Sequence, residues 1–102
     1  MAGDWTPAYR LYVVEFKSGV VKIGMTARLP HKRFNDLSAR GPISSRFYTG
    51  CVVGLAVERE LRSRIARIGT PAEGREWFHG VRFPVAKQLA IQLAKRNAQE
   101  AR

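Results

Sequence analysis

LYVVEF (Leu11–Phe16), KSG (Lys17–Gly19) and VVKIGMT (Val20–Thr26) follow one another directly in the chain. The two outer pieces are rich in β-branched and aromatic residues and read as strands. The three-residue link ends in glycine, which suits a type I turn closed by a left-handed G1 bulge. That loop sets the register. Phe16 opposes Val20, Val14 opposes Lys22 and Tyr12 opposes Gly24, so these six positions share one face of the hairpin. Tyr12 and Lys22 become diagonal neighbours, and Gly24 leaves room beside the Tyr12 ring. Leu11, Val13, Val21, Ile23 and Met25 form the other face, a candidate core. A two-residue loop at Ser18-Gly19 is the alternative; it would set Tyr12 opposite Met25 and part it from Lys22.

Outward from the hairpin, Met1 to about Tyr9 reads as a loose lead-in. Pro30 suits the first turn of a helix running to about Ala39, with Phe34 and Leu37 on its apolar side and Arg40-Gly41-Pro42 as the stop. A third strand is expected over Phe47–Gly54. A second helix is expected over Ala56–Ile68, with Val57, Leu61, Ile65 and Ile68 as its buried stripe. Arg75–Phe78 reads as a short extended piece. Pro84 opens a last helix, with Val85, Leu89 and Leu93 inward and Lys87, Lys95 and Arg96 outward. Strands and helices in this order predict a single α+β domain over residues 10–102, with a small antiparallel sheet of about three strands flanked by helices.

The chain has 102 residues, enough for one domain with a modest core. Eighteen Lys and Arg against eight Asp and Glu leave a net charge of +10. Such an imbalance matches a polyphosphate backbone. An anionic membrane surface is the rival partner, but the basic residues are spread over several elements and not gathered on one amphipathic helix. No apolar run approaches the ~20 residues of a membrane helix, and Met1–Arg10 lacks the apolar centre of a secretion signal. The expectation is a cytoplasmic protein without a membrane partner. The single cysteine, Cys51, allows no internal disulfide. Beside Val52 and Val53 it reads as a buried thiol.

Tyr12 and Lys22 on the hairpin, Arg33 in the first helix and Glu58 in the first turn of the second are polar against their surroundings. Each has an ordinary reading. Tyr12 suits strand packing, Lys22 an edge-strand gatekeeper, Arg33 a solvated helix face and Glu58 a helix N-terminus. Converging within one cleft, as expected of an active site, they would match what phosphodiester hydrolysis needs. A carboxylate can hold a divalent cation. An arginine can fork onto phosphate oxygens. A tyrosine or lysine beside the attacking water can take or relay its proton. A lone carboxylate favours one Mg²⁺ or Mn²⁺ that keeps most of its waters.

The arrangement resembles the GIY-YIG nuclease superfamily. Arg10-Leu11-Tyr12 stands where G-I-Y would be, Lys22-Ile23-Gly24 where Y-I-G would be, and Arg33 falls nine residues after Gly24. Within that superfamily the chain is most similar to a short phage and bacterial branch reading V-K-I-G-x-T, R-x-x-x-L, E-x-x-L-H and R-E-W-F. Here these are VKIGMT, Arg33 with Leu37, Glu58 with Leu61, and Arg75–Phe78. The resemblance implies a one-metal, divalent-metal-dependent DNA endonuclease. Tyr12 would activate or position water, Arg33 would steady the phosphate, and Glu58 would hold the metal; a lysine at position 22 is compatible with activity. Arg10, Arg28, Lys32, Arg62 and His79 are candidate nucleic-acid contacts. Phage or mobile-element origin is implied on the same ground.

Several positions depart from the pattern. Arg10 replaces the first glycine, and Arg62 replaces the branch's histidine. No histidine lies between Arg33 and Glu58. His31 faces elsewhere on an ideal helix, and Asn97 lies too far along to serve as the family's late asparagine. These gaps leave open altered chemistry, a non-catalytic nucleic-acid-binding module of the same fold, or an interaction protein docking on an acidic partner. Trp77 and Phe78 read as core, with base stacking the alternative; Trp5 reads equally as an exposed contact or a cap on the sheet. Strandedness, DNA against RNA, metal identity and oligomeric state are open at this level.

Overall fold

The computed structural model describes residues 9–27, 30–52, 56–74 and 76–100. Trp5, Arg28, Arg75 and all of the lead-in but Tyr9 lie outside them. The elements are β1 (Tyr9–Phe16), β2 (Val21–Thr26), α1 (Pro30–Ser38), β3 (Ile43–Val52), α2 (Ala56–Ala66), β4 (Thr70–Glu73), β5 (Trp77–His79) and α3 (Phe83–Glu100). The strands form one antiparallel sheet in the order β3-β1-β2-β5-β4.

The hairpin adopts the three-residue loop. Phe16 N–H donates to the Val20 carbonyl at 2.9 Å, and Gly19 N–H donates to the Phe16 carbonyl at 2.9 Å. Gly19 takes a φ of 94°, open to glycine at no steric cost. Tyr12 therefore pairs with Gly24, and Val14 with Lys22.

Period-two alternation then divides the sheet. Leu11, Val13, Val21 and Ile23 join Val57, Leu61 and Ile65 of α2 and Ala86, Ala90 and Leu93 of α3 in the larger core, with Met25 packed at its margin. Tyr12, Val14 and Phe16 join Phe34 and Leu37 of α1 in a smaller one, flanked by Ile43 and Trp77. Helices α2 and α3 thus cover one face and α1 the other.

Five strands form where three were expected. The stretch Thr70-Pro71-Ala72-Glu73, to which the sequence alone assigns no element, forms β4 despite its proline. This strand lies at the sheet's edge, where a missing N–H deprives no neighbour. At the opposite edge, β3 begins earlier than its apolar residues suggest. Its polar start, Ser44-Ser45-Arg46, pairs with β1 on one side only.

Three burial expectations are corrected. Ile68 is 51% exposed, because α2 ends at Ala66 and Ile68 falls in the turn. Val85 is also exposed; α3 turns Ala86, Ala90 and Leu93 inward, and alanine lets the helix approach the sheet closely. Cys51 is exposed. A register shift between Arg10 and Tyr12 sets three steps of β3 against two of β1, and Val52 takes the core side. The buried Thr49 stabilises that irregularity: its hydroxyl accepts from Leu11 N–H at 3.1 Å and donates to the Gly50 carbonyl at 2.7 Å.

Candidate active site

Tyr12 lies under α1 and is only 1% exposed. Its ring meets Phe34 edge to face, with centroids 6.4 Å apart. Its hydroxyl lies over Gly24, so close that a Cβ there would sit 2.4 Å from the oxygen. Only glycine fits opposite this tyrosine.

Arg33 comes from α1, one position before the buried Phe34. Its Nε and Nη2 donate to the Tyr12 hydroxyl at 3.3 and 3.2 Å. As an acceptor from Arg33, the hydroxyl keeps its own proton to donate.

Lys22 is 4% exposed and sits between two rings, its Nζ 5.6 Å from the Tyr12 centroid and 5.4 Å from that of Trp77. The ammonium pairs with Glu76 Oε1 at 3.0 Å and donates to the Ile23 carbonyl at 3.1 Å. Because β2 lies inside the sheet, the edge-gatekeeper reading does not apply. Glu76 makes the buried cation tolerable. The sequence offered it only as the second letter of R-E-W-F; its partner became visible once β5 paired with β2.

The fold thus brings Tyr12, Lys22 and Arg33 together, with the cationic centres of both basic residues 5.6 Å from one ring. Glu58 is not drawn into that group: it is on α2, whose buried residues join the larger core on the opposite side of the sheet. It is one-fifth exposed, and its carboxylate faces Arg62 Nε at 3.3 Å. Among the described residues there is no cluster of three or more His, Cys, Asp or Glu. The donor set at Glu58 is one carboxylate, which fits a largely hydrated Mg²⁺ or Mn²⁺ and no multi-ligand site.

The remaining candidates divide. Arg10 is half-buried on the Tyr12 side, its Nη1 donating to the Thr49 carbonyl at 3.1 Å and its guanidinium 5.6 Å from the Tyr48 ring. Lys32 is exposed on α1 beside Arg33. Arg62 is engaged by Glu58. His79 is exposed at the turn end of the sheet, where it borders a depression of about 270 Å³ with Phe16, Arg40 and Trp77. It aligns beyond Val21, several residues along the strand from Gly24. Phe78 is core as expected, and Trp77 is half-buried, stacked on Phe16 with centroids 5.6 Å apart.

Among the described residues no helix is long and apolar enough to cross a membrane. Neither the curated proteins nor the solved structures include a match to this chain. A family model does match, the T5orf172 domain, a phage-associated, nuclease-type domain. With residues 8–97 of the 102 covered by that match, the chain belongs to the T5orf172 domain family.

Proposed function

We propose that the protein is a divalent-metal-dependent endonuclease that hydrolyses DNA phosphodiester bonds by the one-metal chemistry of the GIY-YIG superfamily. The observation that carries this reading is the Tyr12–Arg33 pair beside the buried Lys22. Arg33 has five N–H donors and the Tyr12 contact uses two. Others remain to fork onto the scissile phosphate, where they offset charge that grows in the transition state. The Tyr12 hydroxyl, oriented by Arg33, positions the attacking water and relays its proton. The Lys22 ammonium is held by Glu76 and the Ile23 carbonyl, and it acts by its field as a positioning residue. The resemblance assigns the metal to Glu58, and Mg²⁺ or Mn²⁺, when bound, would supply Lewis-acid polarisation of the phosphate; α2 packs on the sheet face away from Tyr12 and Arg33, so this part rests on the resemblance alone. The net charge of +10 supports nucleic acid as the partner.

Two observations favour the non-catalytic alternative: α2 carries Glu58 on the other face of the sheet from Tyr12 and Arg33, and Arg62 occupies the Glu58 carboxylate that a metal would need. The test is cleavage of labelled single-stranded, duplex and branched DNA with Mg²⁺ or Mn²⁺, comparing the wild type with Glu58→Ala. Metal-dependent cleavage lost in the variant is the expected result. Salt-dependent binding without cleavage in either metal would establish the binding module instead.

A further inference from the structure

Tyr48 is the most exposed aromatic side chain among the described residues of the Tyr12 side of the sheet, at 47%. On the edge strand β3 it leaves nearly half of its surface open. Its place is specific: β3 pairs it with Tyr12, so the two rings are cross-strand neighbours on one face. Phe34 supports it from α1, with centroids 6.2 Å apart and the rings tilted by 43°. On one side, Arg10 holds its guanidinium 5.6 Å from the ring. On the other, Arg46 is exposed two residues earlier on the same strand, its guanidinium 5.7 Å from the Phe34 ring.

An exposed π face flanked by two cations, beside a Tyr–Arg pair, is suited to one kind of ligand. The ring can stack on a nucleobase, and the guanidiniums can take phosphates on either side of it. A base inside a duplex has both faces already stacked, so a continuous duplex would offer this surface only its phosphates. We infer that Tyr48, flanked by Arg10 and Arg46, is a stacking platform for an unpaired nucleobase next to the phosphate held at Arg33. The preferred substrate is then a strand with unpaired bases: a single strand, or an unpaired end or branch. The inference deepens the proposed nuclease reading and rests on it for the role of Arg33; the stacking itself is measurable without cleavage.

The experiment is titration of single-stranded oligonucleotides carrying 2-aminopurine, with chelator present so that no strand is cut, alongside a matched duplex. Wild type, Tyr48→Phe and Tyr48→Trp are expected to quench the probe and to bind single strands with similar affinity. Tyr48→Ala is expected to lose the quench and about tenfold in single-strand affinity, as expected for a stacking contact worth ~1.4 kcal/mol. Its duplex affinity should hold within about twofold. Tyr48→Thr, which keeps a β-branched residue in the strand, should behave as the alanine variant does and guards against a folding defect. Single-strand binding unchanged in both variants, or an equal loss on duplex, would overturn the inference. Quenching by a wild type that cuts nothing in Mg²⁺ or Mn²⁺ would sink the nuclease reading and leave the stacking platform in place.

Discussion

Gly24→Ala adds one methyl group at the most constrained point of the site. The backbone there is ordinary strand, outside the positive-φ glycines at 19, 41, 74 and 80, so the whole effect is steric. The new Cβ would lie 2.4, 2.6 and 2.9 Å from Oη, Cζ and Cε2 of Tyr12. Unstrained carbon contacts need about 3.5 Å, so the phenol must retreat by roughly 1 Å. It has little room to do so, with Phe34 edge-on at 6.4 Å and the ring 1% exposed. Overpacking of this kind costs about 1–3 kcal/mol. In a domain of this size each kcal/mol lowers the melting temperature by roughly 4–8 °C. The same retreat pulls the hydroxyl from the Arg33 donors at 3.2 and 3.3 Å. A misplacement of ~1 Å at a reacting group costs on the order of a hundredfold in rate.

Thermal melts and cleavage kinetics of Gly24→Ala measure both effects. Tyr12→Phe deletes the nearest of the three clashing atoms. In the double variant the loss of stability should therefore be smaller than the sum of the two single losses. An unchanged melting temperature in Gly24→Ala would refute the close packing of Tyr12 on Gly24, and with it the positioning argument for the hydroxyl.

Three further outcomes follow from named contacts. Lys22→Met keeps the buried stem and removes the charge that pairs with the part-exposed Glu76, so stability should change by less than about 1.5 kcal/mol. Its kcat should fall at least about tenfold, with KM little altered; full activity would remove Lys22 from the site. Arg62→Ala frees Glu58 from its 3.3 Å partner and should lower the Mg²⁺ concentration for half-maximal cleavage; a higher requirement would contradict Glu58 as metal ligand. Glu60 accepts from Arg64 and Arg96, and the Arg64 hydrogen bond foremost holds its carboxyl below the ordinary value of 4.5. A depressed folded-state pKa stabilises above the unfolded value and is lost as pH falls through the folded one. Glu60→Gln should therefore melt lower than wild type at pH 7, with the gap closing below 4.5; a gap constant down to pH 3 would show that the ion pairs of Glu60 with Arg64 and Arg96 contribute nothing.

Much of this was legible without coordinates, because the deciding signals are local. The loop Lys17-Ser18-Gly19 and period-two alternation set Tyr12 against Gly24 and Lys22 one step away on the same face, and the hairpin reproduces that register. Phe34 and Leu37 on one side of α1, and Val57, Leu61 and Ile65 on one side of α2, likewise follow from helical spacing. Single residues misled where a nonlocal partner overrode the pattern. Cys51 sits in an apolar run, yet the irregular pairing of β3 with β1 turns it outward. The short strand β4 gave no signal at all, because it forms only where β5 offers it an edge to pair with.

The candidate site divides along the same line. That Tyr12 and Lys22 share a face is written in residues 11–26, since a hairpin's register depends on its own loop. The meeting of Arg33 with the Tyr12 hydroxyl depends on α1 folding back over the sheet. The tether of Lys22 to Glu76 depends on β5 returning beside β2 across more than fifty residues. The pairing of Tyr48 with Tyr12 depends on β3 crossing to the far edge. Periodicity tells a residue which side of its own element it occupies; only the packing of elements distant in sequence decides what stands opposite it.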